Sequence, residues 1–325
     1  MMKARLVSAT RSSERLELSG IDRFSRVRPR AYRGYPAAVS LNSSVVAVIP
    51  TFGPPDELLE LVTVLRLAEC LVVVSDDASR CTSDAVLRDV GMIESVQVLR
   101  HDTNAGIARG VNEGLAIAQQ HDAAWLLTVD QDSMIDPGYV PSLLDAANAR
   151  LQAGEQLGAI GAEVIEDISG TMNYPLSTVD GRLVTEEVIQ TGTLWNVDAL
   201  VSVGGFDQGM GMDAVDAAAC LALRKAGFTV GVAAGLSVEH AIGRSKLVSL
   251  GGRKVMVTGH SPERRASMLR SRLRLLPSEF RQSPRHALRT IRRVAVNQTL
   301  GLVIEGERWE KAKGTARGLL PSRTR

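Results

Sequence analysis

Short apolar runs that alternate with helix-length segments constrain the fold of this chain most strongly. From Val45 onward, four runs rich in Val, Leu and Ile follow one another, at residues 45–50, 71–75, 96–99 and 125–129. Apolar residues at every position of such short runs are typical of strands buried on both faces of a parallel sheet. Between the runs, two segments space their apolar residues as amphipathic helices do, at residues 56–69 and 106–120. The pattern predicts an α/β domain with a mostly parallel sheet flanked by helices.

The remaining segments divide the chain further. Apolar runs at 158–161, 187–189 and 228–233 predict additional strands, and residues 213–226 predict a helix. Residues 251–325 are rich in Arg and space apolar and basic residues around helices, whereas residues 1–44 show no period and are expected to be partly disordered. We therefore expect a basic N-terminal segment over 1–44, an α/β domain over 45–250 and a basic helical region over 251–325.

Charge is distributed unevenly, although the formal net charge is only +2. Residues 1–44 hold 9 Lys and Arg against 3 Asp and Glu, residues 45–250 hold 11 against 28, and residues 251–325 hold 18 against 5. An acidic domain needs a bound cation to accept an anionic ligand, and a basic region attracts anionic partners. The basic helices contain few aromatic residues and no recognisable nucleic-acid-binding module, so we expect them to face an anionic membrane surface, or simply to form a solvated helical face.

Composition excludes several classes of protein. Hydrophobic residues make up 45% of the chain and charged residues 23%, as in ordinary globular proteins. No apolar run reaches the roughly 18 residues that span a bilayer, and the first residues lack the apolar core of a secretory signal. Three cysteines without C-x-x-C spacing disfavour a disulfide framework or a thiolate zinc site. We expect a cytoplasmic protein, and peripheral association with the inner face of the plasma membrane is an alternative location.

Two carboxylates directly follow the fourth apolar run. Asp130 and Asp132 stand one residue apart in the segment DQDS, at a strand end of the kind where open parallel sheets bind ligands. Such a pair can hold Mg²⁺ or Mn²⁺ against a diphosphate. An Asp-rich turn that merely ends the strand explains the same residues.

Polar residues follow the other runs as well. Thr51 follows the first run and Asp76 the second, where a carboxylate can accept the imide N–H of a uracil or thymine base, or can simply cap the next helix. After the third run, a glycine-rich segment opens a helix, and Asn104 and Arg109 offer polar groups to a nucleotide diphosphate. Close packing of this helix on the sheet explains its glycines equally well.

In this order and spacing, these segments resemble family 2 glycosyltransferases of the GT-A fold, and DQDS resembles their rhamnosyltransferase branch. Three later segments extend the resemblance, TGTLWNVDALVSVGGFD, MDAVDAAACLALRKAGF and VEHAIGR, at residues 191–207, 212–228 and 238–244. The resemblance covers about residues 45 to 272. It implies a Rossmann-like GT-A domain that transfers a sugar from a nucleotide diphosphate with inversion.

The resemblance also implies roles for single residues. It places Asp216 at the position of the catalytic base, with Asp213 one turn before it on the same helix face, where neighbouring carboxylates raise one another's pKa. A solvated acidic face at a helix N-terminus explains these two residues as well. Three residues are implied as metal ligands: Asp130, Asp132 and His240. Six are implied as contacts of the nucleotide sugar: Thr51, Asp76, Asn104, Arg109, Asp130 and Trp195.

Two departures from the family pattern concern the acceptor side. Catalytic helices of the family carry two basic residues near their centre, but here Ala222 stands at the first position and only Arg224 remains. The family element Y-Y-x-x-R-N is reduced to residues 266–271, which keep its arginine as Arg270. These changes affect the identity of the acceptor more than the binding of the donor.

The sequence therefore predicts a metal-assisted transferase that moves L-rhamnose from dTDP-L-rhamnose to a cell-envelope polysaccharide or a lipid-linked glycan. One alternative keeps the fold but uses a UDP-sugar, such as UDP-galactofuranose or a UDP-hexose. Another is a catalytically decayed scaffold that binds nucleotide sugars, which the joint retention of Asp130, Asp132, Asp216 and His240 disfavours. Assembly into a homo-oligomer stays open.

Overall fold

The computed structural model describes residues 44–167, 170–210, 212–240, 246–250, 253–257, 259–304 and 308–319. Internal contacts divide the chain into Met1–Ser40 and Leu41–Arg325, and the described residues all belong to the second unit. The predicted basic N-terminal segment over 1–44, and its partial disorder, thus fall outside the described residues except at Ser44.

The four predicted strands are confirmed. They are β1 (Val45–Thr51), β2 (Leu71–Asp76), β3 (Val96–Arg100) and β4 (Trp125–Thr128), and they run parallel in the order β3-β2-β1-β4. Alternate residues of β1 enter opposite cores, because Val46 and Val48 belong to one apolar cluster while Ala47 and Ile49 belong to the other. Burial on both faces explains why β1, β2 and β4 are mostly apolar, whereas β3, at the edge of the sheet, is only partly buried.

Helices cover both faces of this part of the sheet. They are α1 (Leu58–Leu67), α2 (Asp84–Gly91), α3 (Ile107–Gln120) and α4 (Tyr139–Gln152). Helices α1 and α3 were predicted, whereas α2 and α4 were not. Glycines let α3 approach the sheet closely, since a Cβ atom at Gly114 would lie 2.5 Å from the Cβ of Val48.

The sheet continues past β4 with strands of mixed direction. They are β5 (Ser133–Met134), β6 (Leu157–Asp167), β7 (Gly170–Asn173), β8 (Ser177–Val179), β9 (Arg182–Val184), β10 (Thr193–Asn196) and β11 (Thr229–His240). The order after β4 is β10-β6-β11-β9-β8. Strand β10 is antiparallel to β4 and to β6, whereas β6 and β11 are parallel. The predicted α/β class with a mostly parallel sheet is confirmed.

In this half one predicted strand is absent, and one predicted helix is confirmed with a later start. Residues 187–189 form no strand, because side chains bind their backbone: the N–H of Ile189 donates to the Tyr174 hydroxyl at 3.1 Å. The helix predicted from residue 213 begins later, as α6 (Val215–Lys225), because Ala214 has left-handed geometry with φ 63°. It is preceded along the chain by α5 (Val197–Ser202).

The C-terminal region is helical from residue 262, as predicted. It consists of α7 (Pro262–Gln282), α8 (Pro284–Ile304) and α9 (Arg308–Leu319). The boundary predicted at 250/251 falls inside a hairpin of β12 (Lys246–Leu250) and β13 (Arg253–Val257), and α7 shares the apolar cluster of α6 through Leu275. None of the described helices is long and apolar enough to cross a membrane.

Candidate active site

The three predicted metal ligands lie together at one edge of the sheet. Pairing of β5 with the end of β11 places His240 opposite Ser133. The Nε2 atom of His240 lies 3.6 Å from Oδ2 of Asp130, and its Nδ1 atom lies 3.9 Å from Oδ1 of Asp132. Ser133 fixes the ring with its Oγ atom 3.0 Å from Nδ1. The family resemblance assigned a common role to residues more than a hundred positions apart, and the structure brings these residues together.

The electrostatics of this cluster suit a cation. Burial raises the pKa of Asp130 to about 6, and the carboxylates of Asp132 and Asp216 act in the same direction while His240 opposes them. Two carboxylates and an imidazole are donors that Mn²⁺ and Mg²⁺ accept. Asp130 faces Nε2 of His240 and Asp132 faces Nδ1. One ion could therefore bind all three side chains only after at least one of them changes its rotamer.

Outside the predicted site, one group in the described part of the chain brings three potential metal-ligating atoms within 4.8 Å of one another. It consists of Glu187, Glu279 and His286, all buried. Two guanidinium groups already neutralise Glu187, since Arg272 lies 2.6 Å from its Oε2 atom and Arg293 contacts its Oε1 atom. This group is therefore a network of ion pairs that joins α7 and α8 to the segment before β10.

Gln190, in that segment, links the two halves of the site. Its Nε2 atom donates to Oδ1 of Asp130 at 2.7 Å, and its backbone lies near enough to the carboxylate of Asp216 to lower the pKa of that group. Its carbonyl oxygen accepts a hydrogen bond from the hydroxyl of Thr128. One residue thus joins the predicted metal ligand to the predicted base.

Asp216 lies in the first turn of α6, close to charged groups from three parts of the chain. Burial raises its pKa, and the guanidinium of Arg272 is the charge that lowers it most, while Glu187 raises it. Its interaction with Asp130 brings it into the same electrostatic cluster as the predicted metal ligands. A carboxylate whose pKa is raised accepts a proton more readily than an ordinary one.

Asp213 does not share a helix face with Asp216, which corrects the sequence prediction. Because Ala214 is left-handed, Asp213 lies before α6. It faces the start of α7 instead, where the Nε atom of Arg264 lies 3.7 Å from its Oδ1 atom and the Ser267 hydroxyl hydrogen bonds to it. Its Oδ2 atom is buried without a hydrogen-bond partner. Burial, rather than Asp216, raises the pKa of Asp213.

On the donor side, Thr51 and Asp76 meet at the ends of β1 and β2, as parallel strands require. The Oγ1 atom of Thr51 lies 3.4 Å from Oδ1 of Asp76. Asp76 is fully buried, and its carboxylate accepts hydrogen bonds from the backbone and side chain of Ser79 and from Arg100. It holds the turn after β2 and does not cap the next helix, since α2 has Ser83 at its N-cap without a side-chain hydrogen bond. Recognition of a base by Asp76 therefore requires Ser79 to release it.

Asn104 and Arg109 flank the start of α3, but both already have protein partners. Asn104 donates to the carbonyl of Asp77 at 3.3 Å. Arg109 lies 3.1 Å from Glu113 and also contacts His101. Both stay predicted donor contacts, and the packing of Gly114 on β1 supports the structural interpretation of the glycine-rich segment.

Trp195 lies in the core, which corrects its assignment to the nucleotide-sugar contacts. Its side chain has no exposed surface. The indole N–H donates to Oγ1 of Thr128 at 2.8 Å, and the ring packs edge-on against Phe206 at 5.1 Å. Trp195 therefore supports the strand beneath the site without reaching a bound donor.

A cavity of about 540 Å³ lies between α3, α6 and α7. Its wall includes Ala218, Ala222 and Lys225, but none of the predicted site residues. The position where the family carries a basic residue thus opens into empty space here.

Sequence reasoning missed Gln190, Glu187 and Arg272. Each lies in the site region through a partner far along the chain, 60 residues away for Gln190 and Asp130 and 85 for Glu187 and Arg272. The available signal was the polar, acidic composition of residues 185–191 just before an apolar strand, which is unusual for a buried segment.

Comparisons with known proteins agree with this geometry. Residues 46–158 match the model of glycosyl transferase family 2. The chain is 28% identical over 254 residues to the dTDP-rhamnosyl transferase RfbF of Shigella flexneri, covering 73% of this chain and 81% of that protein.

Solved structures show the same fold at low identity. The mannosyltransferase PcManGT from Pyrobaculum calidifontis, solved with GDP-Man and Mn²⁺, is 13% identical with a TM-score of 0.51, over 86% of this chain and 74% of that one. TarS residues 1–349 from S. aureus, solved with UDP-GlcNAc, are 15% identical with a TM-score of 0.55, over 85% and 79%. Residues 46–158 thus carry a glycosyl transferase family 2 domain, and the chain is similar over most of its length to a dTDP-rhamnosyl transferase.

Proposed function

We propose that this enzyme transfers L-rhamnose from dTDP-L-rhamnose to a hydroxyl group of a cell-envelope polysaccharide or lipid-linked glycan, with inversion at the anomeric carbon. The observation that carries the proposal is the position of Gln190, whose side chain donates to Asp130 at 2.7 Å while its backbone lies near enough to Asp216 to lower the pKa of that carboxyl. A donor diphosphate at Asp130 and an acceptor hydroxyl at Asp216 would thereby lie on either side of one sugar. Similarity to a dTDP-rhamnosyl transferase supports rhamnose as that sugar.

Asp216 acts as the general base in this proposal. Its carboxylate takes the proton of the acceptor hydroxyl while that oxygen forms a bond to the anomeric carbon. The bond from the anomeric carbon to the diphosphate oxygen breaks, and its electron pair leaves with the nucleoside diphosphate. Asp213, held by Arg264 and Ser267, supports the approach to α6.

Asp130, Asp132 and His240 would hold Mg²⁺ or Mn²⁺. Such an ion would offset the negative charge of the diphosphate leaving group. A bound cation is needed because residues 45–250 carry 28 acidic against 11 basic residues, and an acidic domain repels an anionic donor. The relative solved with GDP-Man and Mn²⁺ supports this role. Thr51, Asp76, Asn104 and Arg109 are the proposed contacts of the nucleotide.

We also propose that α8 holds the enzyme against an anionic membrane surface, where a lipid-linked acceptor would be found. Residues 284–304 contain no Asp or Glu. Arg285, Arg289 and Arg292 recur at helical spacing on an exposed face that also carries Leu288, 59% exposed, and Val296, 47% exposed. A helix with basic and apolar residues on its exposed face binds anionic lipid through both.

Donor class is tested by thermal shift with dTDP-L-rhamnose, UDP-galactofuranose and UDP-glucose, each with Mn²⁺ or with EDTA. A ligand at about 100 times its Kd stabilises the folded state by about 2.7 kcal/mol, so binding gives a clear shift. We expect stabilisation by dTDP-L-rhamnose that EDTA removes. Stabilisation by a UDP-sugar alone would assign the other donor, and the absence of a shift with every nucleotide sugar would contradict the proposed donor binding.

The role of Asp216 is tested by Asp216→Asn in the same assay and in a transfer assay. We expect kcat to fall by about 10²- to 10⁴-fold, the usual contribution of a general base, while metal-dependent donor binding persists. Asp145→Asn, an exposed position on α4, is the matched control and should change neither. Equal loss of transfer and of donor binding would contradict the assignment.

A further inference from the structure

The backbone pairing between β1 and β4 stops at a proline. Val48 is the last residue of β1 that pairs with β4, and its carbonyl accepts from the N–H of Val129 at 3.1 Å. Alternate residues of a strand bond to the same neighbouring strand, so Pro50 and then Phe52 would pair next. Pro50 has no N–H to donate, which ends the ladder there. The backbone of Phe52 is thereby left for another partner.

The side chain of Gln131, in the segment DQDS, is that partner. Its Oε1 atom accepts from the N–H of Phe52 at 2.8 Å, and its Nε2 atom donates to the carbonyl of Phe52 at 3.3 Å. A side-chain amide thus pairs with both backbone groups of one residue, as a neighbouring strand would. Because Gln131 stands between Asp130 and Asp132, the pairing joins the chain after β1 to the DQDS turn (residues 130–133).

The chain at residues 51–53, here segment 51–53, is also held from the side of β2. The N–H of Gly53 donates to the Oγ atom of Ser79 at 2.7 Å, and that hydroxyl donates in turn to Asp76. The carbonyl of Thr51 accepts from a backbone N–H of the turn after β2 at 2.8 Å. Segment 51–53 therefore lies between the turn after β2 and the DQDS turn, with hydrogen bonds to both.

The DQDS turn has supports of its own that do not involve Gln131. The N–H of Asp130 donates to Oγ1 of Thr191 at 3.1 Å. The N–H of Ser133 donates to the carbonyl of Asp130, also at 3.1 Å. Loss of the Gln131 amide should therefore leave this turn in place and release segment 51–53 from it.

We infer that Gln131 is a positioning residue for the donor: its amide replaces the strand pairing that Pro50 ends, and so fixes the distance between the groups that bind the nucleoside and those that bind the diphosphate. This rests on the proposed function, which takes Thr51 and Asp76 as contacts of the nucleotide and the DQDS turn as the place of its diphosphate. A nucleoside diphosphate reaches both places at once, so its binding weakens when it must also order a loose segment. A ligand of the DQDS turn alone does not depend on this distance.

The chain offers a matched control in Asn112 of α3. Its amide pairs with Phe206 in the same way, accepting from the N–H at 2.9 Å and donating to the carbonyl at 2.8 Å. Both residues line the cavity described above, whose wall includes none of the predicted site residues. Gln131→Met and Asn112→Leu keep the size of the side chain, and each removes two hydrogen bonds from an amide to a backbone. Urea unfolding of both variants compares their loss of stability.

The experiment titrates dTDP into the full-length protein with Mn²⁺, titrates Mn²⁺ alone, and measures kcat and the donor KM. We expect Gln131→Met to weaken dTDP binding and raise the donor KM by about tenfold, near the lower end of what two neutral hydrogen bonds contribute. Affinity for Mn²⁺ alone and kcat should stay within about threefold. Gln131→Asn, whose amide is one methylene too short, should behave alike. Asn112→Leu should keep every one of these quantities within about threefold.

Three results would overturn the inference. One is an affinity for dTDP that Gln131→Met leaves unchanged. Another is an equal loss of dTDP affinity in Asn112→Leu, which would show a general loosening of the protein. The third is a loss of affinity for Mn²⁺ alone as large as the loss for dTDP, which would confine the effect to the DQDS turn.

Failure of the proposed function gives a different result. A native protein that binds no nucleoside diphosphate contradicts the proposed donor binding before any variant is compared, and the inference falls with it. If the native protein binds UDP in place of dTDP, the proposed donor is wrong, and the same comparison made with UDP tests Gln131. If the native protein binds dTDP and Gln131→Met binds it equally well, only the role of Gln131 is wrong.

Discussion

Gly114 illustrates how a residue can satisfy a functional pattern for a structural reason. It belongs to a glycine-rich helix start of the kind that binds diphosphates, yet the space above it is filled by Val48 of β1. Gly106, at the N-cap, has φ 90° and donates its N–H to Asp77 at 2.8 Å. Both glycines therefore serve the seating of α3 on the sheet.

Gly114→Ala should destabilise the protein by about 1–3 kcal/mol, the usual cost of overpacking a core. The added Cβ atom would lie 2.5 Å from the Cβ of Val48, whereas at Gly91, the end of α2, it would lie 3.4 Å from the nearest atom. Gly91→Ala is thus the matched control and should leave stability unchanged or raise it slightly. Urea unfolding of both variants checks this, and equal effects would contradict it.

Single site residues could be predicted only where chemistry and position coincide. Asp130 and Asp132 follow a strand directly, and a family pattern relates them to His240, so their meeting was foreseen. Trp195 stands in a matching segment too, but β10 turns its side chain into the core. Gln190 could not be predicted from the sequence, because a side-chain amide indicates no particular chemistry until folding places it beside Asp130.

At the scale of elements, the start of α6 and the absence of a strand at residues 187–189 depend on local contacts that sequence periodicity does not reveal. The start of α6 is set by one left-handed residue, Ala214. The apolar pair at residues 188 and 189 imitates a strand, but hydroxyl and thiol side chains occupy its backbone. The parallel strands were predictable because a strand that is buried along its whole length has a continuous apolar sequence. Segments that contain both buried and exposed residues have no such sequence.

His286 of α8 should make stability depend on pH. It is 3% exposed, and its Nδ1 atom has no hydrogen-bond partner. Burial lowers its pKa, although two acidic groups oppose this. An imidazole that is harder to protonate in the folded state contributes stability that is lost as pH falls below its unfolded value of about 6.5. The charged groups that face it are Glu186, Glu187, Glu279, Arg224 and Arg293.

We therefore expect the free energy of unfolding to fall between pH 6.5 and 5 more steeply in the native chain than in His286→Gln, by up to about 1.4 kcal/mol per pH unit. Glu279 has a raised pKa and acts in the opposite direction, so the comparison must be between the two proteins. Urea unfolding at several pH values measures it. Identical slopes would show that His286 is readily protonated where it lies.

At the scale of the whole molecule, charge is separated between an acidic domain and basic helices. The helices pack with the domain in one unit, so they supply Arg264 and Arg272 to its catalytic segment as well as an exposed basic face. The family model ends at residue 158, far before these contributions. The predicted division at residue 250 therefore separates parts that work together.

Reversing Arg285, Arg289 and Arg292 to Glu should abolish binding to vesicles of phosphatidylcholine with phosphatidylglycerol at low salt. Each basic residue near an anionic surface contributes about 1 kcal/mol, so removing three weakens partition by about a hundredfold or more. The matched control reverses three exposed residues of the domain, Arg80, Arg88 and Lys225. Cosedimentation measures both, and equal loss in the two triples would show a simple effect of net charge.

The bridge at Gln190 has a consequence for recombination between relatives. Exchanging the donor half of one glycosyltransferase for that of another is an attractive route to new specificities, because the family model covers that half alone. Here the side chain of Gln190, which follows the family match in the sequence, donates to Asp130, the proposed metal ligand, while its backbone lies near Asp216, the proposed base. A chimera is therefore expected to keep Asp130 and Asp216 in their relative positions only if residues 185–192 and the α7 residues that contact them come from the same parent protein.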